Sequence, residues 1–328
     1  MLRIATRRSA LARAQSHQTG QLLAARAGTE FTLVAMATTG DLQSDRAIGE
    51  FDVKGLFVDT IRAALRAGDV DLAIHSYKDL PSDPVAGLVI GAVPEREDPR
   101  DLLVTRDGRG LAALAATATV GTSSERRRVQ LLRARPSLQV LAVRGNLDTR
   151  LRKVADGEYD AVVVAFAGLR RLYVPEADGG VGALGLPLKA VPLEAGEVLS
   201  APAQGALAVE CRQQDEVALA ACAQIDHDAT HRTVRAERAF LRRLGGGCLA
   251  PVGALATLSP AQGGQRLELL GMLGDPGRRR VLRMSDTGPE DQPEALGASL
   301  ADQMVAAGGA ELLDAITAAR ASAPETHP

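Results

Sequence analysis

Strand-like and helix-like segments alternate along the first half of the chain, and this alternation limits the possible folds more than any other feature. Apolar runs at 2–6, 31–36 and 72–74 predict strands, and apolar residues at helical spacing predict helices through Leu23 and up to Gly68. Strands that alternate with helices form a mostly parallel sheet covered by helices. The sequence therefore predicts an α/β domain at the N-terminal end of the chain.

The alternation begins again after a charged, proline-containing segment at 94–101, which predicts a hinge into a second α/β domain. Strands are predicted at 119–121, 139–143 and 161–166. The segment 199–212 predicts a turn and a strand that returns toward the first domain.

The last third of the chain has a different pattern. Residues 267–284 predict a hairpin around Asp275-Pro276-Gly277, and the spacing of Leu296, Leu300 and Met304 predicts an amphipathic helix that ends at Gly308-Gly309. This pattern favours a small α+β domain. We expect domain 1 at 1–95 and 200–220, domain 2 at 96–199 and domain 3 at 221–328.

Composition narrows the functional classes. The 328 residues are 46% hydrophobic and 24% charged with a net charge of −2, which indicates a soluble globular protein with no bulk attraction to nucleic acid. Four of the 38 basic residues are lysine and the rest are arginine. Arginine binds carboxylates and phosphates in a bidentate manner, which favours an acidic small-molecule partner, although a GC-rich genome would produce the same bias.

The cysteines and the N-terminus indicate the compartment. Cys211, Cys222 and Cys248 are odd in number and lack C-x-x-C spacing, which favours a reducing compartment over a disulfide framework or a zinc site. No long apolar core follows Arg7-Arg8, and no apolar run has the length of a membrane span. We expect a cytoplasmic protein that binds neither membranes nor metal.

Polar residues follow the predicted strands of the first domain, where ligands bind in α/β sheets. Arg7-Arg8-Ser9 lies between a strand and a helix start, an arrangement that binds anions. His75-Ser-Tyr-Lys-Asp79 ends the third strand, and Pro81 is expected to make Leu80 extended and to bias the segment away from helix. Asp79 either forms an exposed ion pair with Lys78 or stabilises a developing cation.

Arginines follow three successive strands of the second domain. They are Arg126-Arg127-Arg128 after Thr122-Ser-Ser124, Arg144, and Arg170-Arg171. Taken alone, the first group favours a capped helix with a solvated basic face. Its repetition at two further strand ends favours a site for a polyanion.

Cys248 follows three consecutive glycines, which places it on a loop directly after a helix that ends near Leu244. Three roles remain open for its thiol: a buried structural cysteine, a catalytic nucleophile, or the attachment point of a prosthetic group. His227 and His231 are spaced i, i+4, but no third ligand is near, so a surface pair on a helix is favoured over a metal site.

Motifs in a fixed order along almost the whole chain resemble the porphobilinogen deaminase (hydroxymethylbilane synthase) family. They are Leu2-Arg-Ile-Ala-Thr-Arg-Arg-Ser9, Lys54-Gly-Leu-Phe57, His75-Ser-Tyr-Lys-Asp79, Glu95-Arg-Glu-Asp-Pro-Arg-Asp101, Gly121-Thr-Ser-Ser124, Arg144-Gly-Asn146 with Arg150, Ala167-Gly-Leu169, Gln204-Gly-Ala206 and Gly246-Gly-Cys248.

The resemblance implies two α/β domains like those of type II periplasmic binding proteins, plus a small α+β C-terminal domain. It also implies a monomeric transferase of heme and porphyrin biosynthesis. The family polymerises four porphobilinogen molecules, with loss of ammonia, to the linear tetrapyrrole 1-hydroxymethylbilane. A dipyrromethane cofactor, bound by a thioether that here falls on Cys248, primes this reaction.

The resemblance also assigns roles to residues. Asp79 is the expected catalytic residue, because a fixed carboxylate stabilises positive charge on pyrrole nitrogen and transfers protons. The expected cofactor contacts are Ser76, Lys78, Thr122, Ser123, Arg126, Arg127, Arg144 and Gln204. The expected substrate contacts are Arg7, Ser9, Lys54, Arg150 and Arg171.

The chain departs from the family pattern at several positions. Tyr77 replaces Met or Leu, residues 51–53 replace a glycine-rich approach to Lys54, Glu125 follows the serine pair, and Ala203 is present where Gly is usual. Two alternatives remain beside the enzyme: a non-enzymatic two-lobed module that binds a carboxylated small molecule, and an inactive paralogue. A binding module needs neither the glycine-cysteine loop nor a third domain. Asp79 and Cys248 are both present, which argues against an inactive paralogue.

Overall fold

The computed structural model describes residues 1–36, 58–173, 185–245, 251–261, 264–275, 277 and 280–321. The chain forms two compact units, one of 1–97 with 205–234 and one of 98–204 with 235–328. Their sheets confirm the predicted fold class of two α/β domains plus a small α+β domain. The residue limits given above for the three domains stay a prediction.

The first unit has a five-stranded sheet in the order β2-β1-β3-β10-β4. The strands β1, β2 and β3 are parallel, whereas β10 is antiparallel to both β3 and β4. The predicted strand that returns to the first domain is therefore confirmed as β10. The bounds of these strands are Leu2–Arg7 for β1, Phe31–Met36 for β2, Leu72–Ser76 for β3, Leu88–Ala92 for β4 and Leu207–Arg212 for β10.

Helices α1 (Ala10–Ala27), α2 (Asp59–Ala67) and α6 (Glu216–Ala223) belong to the same unit. The Ser9 side chain caps the start of α1. A left-handed glycine ends each of the first two helices: Gly28 follows α1 with φ 63°, and Gly68, the predicted helix end, follows α2 with φ 78°. Buried apolar side chains from the sheet and from α6 form a common core.

The second unit contains another five-stranded sheet, in the order β7-β6-β8-β5-β9. Strands β6, β7 and β8 are parallel, and β5 is antiparallel to its neighbours β8 and β9. Its strands are β5 (Asp101–Thr105), β6 (Thr119–Gly121), β7 (Gln139–Leu141), β8 (Ala161–Ala165) and β9 (Lys189–Leu193), and its helices are α3 (Glu125–Ala134), α4 (Leu147–Ala155) and α5 (Phe166–Leu172).

A three-stranded antiparallel sheet completes this unit, with strands β11 (Val252–Ala261), β12 (Gly264–Asp275) and β13 (Arg280–Pro289). The predicted hairpin is confirmed, because Asp275 pairs with Arg280 at the turn. Helices α7 (Asp228–Leu244), α8 (Pro293–Met304) and α9 (Ala310–Ala321) accompany the sheet. Phe240 of α7 lies fully buried among apolar side chains of the sheet and α8.

The predicted helix end at Gly308-Gly309 is confirmed, because Gly308 takes φ 101° in a kink that separates α8 from α9, a helix that was not predicted. Two strand limits were wrong. Strand β7 stops at Leu141, two residues early, whereas β3 runs two residues further than predicted. Within the described ranges, no helix has the length and apolar character needed to cross a membrane.

Candidate active site

The first group of predicted site residues lies at one edge of the first sheet. Strands β1 and β3 are adjacent and parallel, so Arg7 and Ser76, the last residue of each, lie at the same carboxyl edge. Arg7 is half-buried. Ser9 is exposed at the start of α1, and its Oγ accepts a hydrogen bond from Ala12 N at 3.3 Å, so its hydroxyl hydrogen is free to point toward a ligand.

Asp79 lies on a single 3₁₀ turn, Tyr77–Asp79, directly after β3. The expectation that Pro81 biases the segment away from helix was wrong for this turn, because Leu80 N donates to Tyr77 O at 3.3 Å and closes it. Leu80 itself is extended, as expected before a proline. Tyr77 is buried while the Asp79 carboxylate is exposed, so the turn places a fixed acid at the sheet edge.

Ser76 has a partner that the sequence analysis missed. Its hydroxyl lies 3.0 Å from Nε2 and 3.1 Å from Oε1 of Gln15, a side chain on α1 that is 4% exposed. The buried face of α1 also contains Ser16 and Thr19, so the sequence pattern does not distinguish Gln15. The contact connects α1 to the strand that precedes Asp79.

A buried triad of Arg62, His75 and Glu210 includes a residue of this strand. Arg62 Nη2 is 2.8 Å from Oε1 of Glu210, and His75 Nε2 is 3.2 Å from Oε2 of the same carboxylate. Burial alone would raise the pKa of Glu210, but the contacts with His75 and Arg62 outweigh it and lower this pKa below its ordinary value. The triad joins α2, β3 and β10 through one carboxylate.

The second group of predicted residues begins with Arg126 and Arg127 on the first turn of α3. The solvated basic face that this sequence favours by itself was wrong for both, since they are 5% and 7% exposed. The fully buried Asp101 carboxylate contacts Arg126 Nη2 at 2.8 Å and Arg127 Nη2 at 2.7 Å. Burial lowers the pKa of Arg126, and the charge of Asp101 opposes this shift.

Gln204 is also buried and also contacts Asp101. Its Nε2 lies 2.8 Å from Asp101 Oδ1 and 2.8 Å from Pro99 O. The preceding residue, Ala203, takes φ 62°, a left-handed conformation that glycine adopts without steric cost. The backbone therefore has a glycine conformation at the position where this chain carries alanine instead.

Two of the three hydroxyl groups that precede α3 belong to predicted site residues, and they differ in what they can donate. Thr122 is buried and its Oγ1 accepts from Ser124 N at 3.2 Å, so the hydroxyl hydrogen remains available. Ser123 is exposed, but its Oγ donates to Val143 O at 2.7 Å. Of the two, Thr122 is better placed to donate to a carboxylate.

The remaining predicted arginines follow strands β7 and β8. Because β6, β7 and β8 are parallel, their carboxyl ends lie on one edge. Arg144 is exposed, and Arg171 is half-buried on α5. Arg150 Nε donates to Gly145 O at 2.9 Å, and burial, followed by the positive charge of Arg127, lowers the pKa of Arg150.

Lys54 and Cys248 lie outside the described residues. The flanks of the cysteine loop are described: α7 ends at Leu244, as predicted, and Gly245 follows with φ 68°. Buried Glu237 on α7 accepts from Ala256 N of β11 at 2.8 Å, which joins the helix before the loop to the strand after it.

The two histidines of the predicted pair have protein partners. His227 Nδ1 lies 2.8 Å from Thr230 Oγ1, and His231 Nδ1 lies 2.9 Å from Asp226 Oδ1. Each contact is local to the start of α7. These partners agree with the surface pair that the spacing favoured.

Comparison with known proteins decides the family. The model of the porphobilinogen deaminase dipyromethane cofactor binding domain matches residues 2–220, and the model of the porphobilinogen deaminase C-terminal domain matches residues 231–306. The chain belongs to the porphobilinogen deaminase family. The porphobilinogen deaminase of Roseiflexus castenholzii is 44% identical over 313 residues, which cover 95% of this chain and 98% of the relative. That of Nocardia farcinica is 45% identical and covers 97% and 89%.

Solved structures with similar architecture are much more distant in sequence. The VFT2 domain of Bordetella pertussis BvgS (double mutant) is 18% identical with a TM-score of 0.40, and it covers 68% of this chain and 85% of its own. The methionine binding protein MetQ is 11% identical with a TM-score of 0.42, and it covers 70% and 91%.

The donor set of the second unit suits the carboxylated cofactor that the matched domain is named for. Arg127 is more than nine-tenths buried, and its Nε has no hydrogen-bond partner among the described residues. Thr122, which directly follows β6, retains a hydroxyl hydrogen. Unused N–H and O–H donors are what a carboxylate requires, so the residues fit the group.

Proposed function

We propose that the chain is a hydroxymethylbilane synthase: it joins four porphobilinogen molecules and one water molecule into 1-hydroxymethylbilane and releases four molecules of ammonia. The observation that carries this proposal is the match of the porphobilinogen deaminase domains to residues 2–220 and 231–306, in a chain that also has an exposed Asp79 at a sheet edge. The enzyme class, a transferase, follows from the family.

The cofactor in this proposal is a dipyrromethane attached to Cys248 by a thioether. When bound, it supplies the pyrrole end to which substrate units are added. Arg126, Arg127, Arg144 and Thr122 would bind its acidic side chains, with Ser76, Lys78 and Ser123 completing the direct contacts and Gln204 acting through the buried Asp101 carboxylate. Charge-assisted hydrogen bonds of this kind contribute about 1.5–3 kcal/mol each.

Asp79 is proposed as the catalytic residue. Ammonia leaves porphobilinogen when the bond between its methylene carbon and the amino nitrogen breaks, and this leaves positive charge on the pyrrole nitrogen. The Asp79 carboxylate, exposed on a turn that β3 holds in place, stabilises that charge. It also accepts a proton as the new carbon–carbon bond forms and the ring loses its α-hydrogen.

The acidic side chains of porphobilinogen require cations. Arg7 and Ser9 lie at the carboxyl edge that also carries Asp79, which supports their role in binding the incoming pyrrole. Arg150, Arg171 and Lys54 complete the proposed substrate contacts. In keeping with the composition, we further propose a cytoplasmic monomer that binds neither nucleic acid nor membrane.

Turnover tests this proposal. Purified protein is incubated with porphobilinogen, and both ammonia and hydroxymethylbilane are quantified; equal moles of ammonia and consumed porphobilinogen are expected. Asp79→Asn should lower turnover by at least a hundredfold, since it removes the charge that stabilises the cation. The matched control is Asp83→Asn, an exposed carboxylate four residues further along, which should leave turnover unchanged.

Two results would contradict the proposal. Binding of porphobilinogen without release of ammonia would indicate a non-enzymatic binding module or an inactive paralogue. Full turnover by Asp79→Asn would remove this residue from the chemistry and leave the enzyme class intact.

A further inference from the structure

Asp101 was part of a sequence motif but had no predicted role, and it lies at the centre of the second unit's arginine site. It is the first residue of β5 and is 0% exposed. Its Oδ2 accepts from Arg126 Nη2 at 2.8 Å, and its Oδ1 accepts from Arg127 Nη2 at 2.7 Å. Each carboxylate oxygen thus binds a different guanidinium.

A backbone carbonyl fixes each guanidinium at a second point. Arg126 Nη1 donates to Leu199 O at 2.5 Å, and Arg127 Nη1 donates to Val163 O at 2.8 Å. Two contacts on a planar group determine its orientation, so both side chains are ordered before any ligand binds. Arg127 Nε stays buried without a hydrogen-bond partner in the described part of the chain.

Gln204 supports Asp101 through its side-chain amide. Its Nε2 carries two hydrogens, and it lies 2.8 Å from both Asp101 Oδ1 and Pro99 O. These hydrogens are therefore engaged within the protein. Gln204 acts on the arginines through Asp101 rather than by donating to a ligand.

The charges of this group, Asp101 with Arg126 and Arg127, sum to a single positive charge. Burial lowers the pKa of Arg126 while Asp101 opposes that shift, so Asp101 helps to keep the guanidinium charged. A buried charge requires a partner, and one ligand carboxylate would supply it.

We propose that Asp101 is a positioning residue that orders Arg126 and Arg127 so that their remaining N–H groups bind one carboxylate of the pyrrole chain, and that Gln204 acts through it. This inference rests on the proposed function. It adds a residue to the site and states how many acidic groups the arginine pair accepts.

The test compares Asp101→Asn with a matched carboxylate elsewhere. Asp71 also accepts two hydrogen bonds from an arginine, Arg3 Nη2 at 2.8 Å and Arg3 Nε at 3.1 Å, and it precedes β3 at the sheet edge opposite Asp79. For each variant, intact mass gives the fraction of chains that carry the dipyrromethane. Steady-state kinetics of the loaded chains give kcat and KM for porphobilinogen.

For Asp101→Asn we expect a lower fraction of loaded chains and a KM raised about tenfold, with kcat within threefold of the wild type. Asp71→Asn should lower only the stability toward urea. Full loading with a KM within twofold of the wild type would overturn the proposal. A KM below the wild-type value would overturn it too, because the Asp101 carboxylate would then only reduce the positive charge that attracts the substrate.

A second variant covers the case in which Asp101→Asn does not fold. Gln204→Met keeps every charge and removes only the amide that contacts Asp101, and it should raise KM at least threefold; an unchanged KM would overturn the proposal. Failure of the proposed function gives a different result, because the wild type would then carry no added mass and consume no porphobilinogen.

Discussion

Replacement of Glu210 by glutamine tests whether the buried triad stabilises the unit that carries Asp79. Glu210, Arg62 and His75 are 2%, 8% and 9% exposed, so the substitution leaves a buried guanidinium without its counter-charge. The two contacts of Arg62 with Oε1, at 2.8 and 2.9 Å, would then be made to a neutral amide oxygen. Removal of one partner of a buried ion pair costs about 3–5 kcal/mol, a large share of a typical stability of about 5–15 kcal/mol.

Urea unfolding at neutral pH, followed by far-ultraviolet circular dichroism, measures this loss. The matched control is Asp302→Asn, which breaks an ion pair with Arg243 whose side chains are 58% and 56% exposed, and it should cost less than about 1 kcal/mol. A loss below about 1 kcal/mol for Glu210→Gln, with an unchanged urea dependence, would refute the assignment of the triad as a stabilising network.

The pH dependence gives an independent check of the same carboxylate. The pKa of Glu210 is lowered from 4.5, so its stabilising contribution is fully present above that value. The contribution is lost as the pH falls through the lower pKa of the folded state. The difference in unfolding free energy between the wild type and Glu210→Gln should therefore shrink below about pH 4.5.

Two further predictions concern donors and close packing. Thr122→Val should raise KM for porphobilinogen about fivefold more than Ser123→Ala does, because the Ser123 hydroxyl hydrogen is already bonded to Val143 O. Steady-state kinetics measure both effects, and equal increases in KM would contradict this assignment. Gly297→Ala should destabilise the second unit toward urea by about 2–3 kcal/mol, since a β-carbon there would lie 2.3 Å from Ala236 O. The control is Gly288→Ala, whose β-carbon would meet atoms no nearer than 3.5 Å. Equal urea midpoints for the two variants would contradict this prediction.

The sequence predicted what depends on local pattern. Alternating apolar runs indicated strands β1, β2, β3, β6, β7, β8 and β10, but not β4, β5 or β9. The roles that the family motifs indicated for Asp79 and Cys248 stay predictions. Glycines at helix ends, such as Gly68 and Gly245, also behaved as predicted.

Contacts between residues distant in sequence could not be predicted in this way. The burial of Arg126 and Arg127 depends on Asp101, which the pattern assigned to a charged crossover and which in fact begins β5. Likewise, Gln15 and Ser76 are separated by 61 residues, and no local rule pairs them. Such pairs become visible only when strand order is known.

The kink at Gly308 shows both sides of this limit. The helix end at Gly308-Gly309 was predicted from local composition, and Gly308 takes φ 101° there. The following helix α9, whose Leu312 and Ile316 are buried with the third sheet, was not predicted.

The central claim, an enzyme that holds its primer on Cys248, is tested most directly by the intact mass of the denatured protein beside that of Cys248→Ser. We predict a mass excess equal to one dipyrromethane in the wild type and the unmodified sequence mass in the variant. An unmodified wild-type mass that persists after incubation with porphobilinogen would contradict the account.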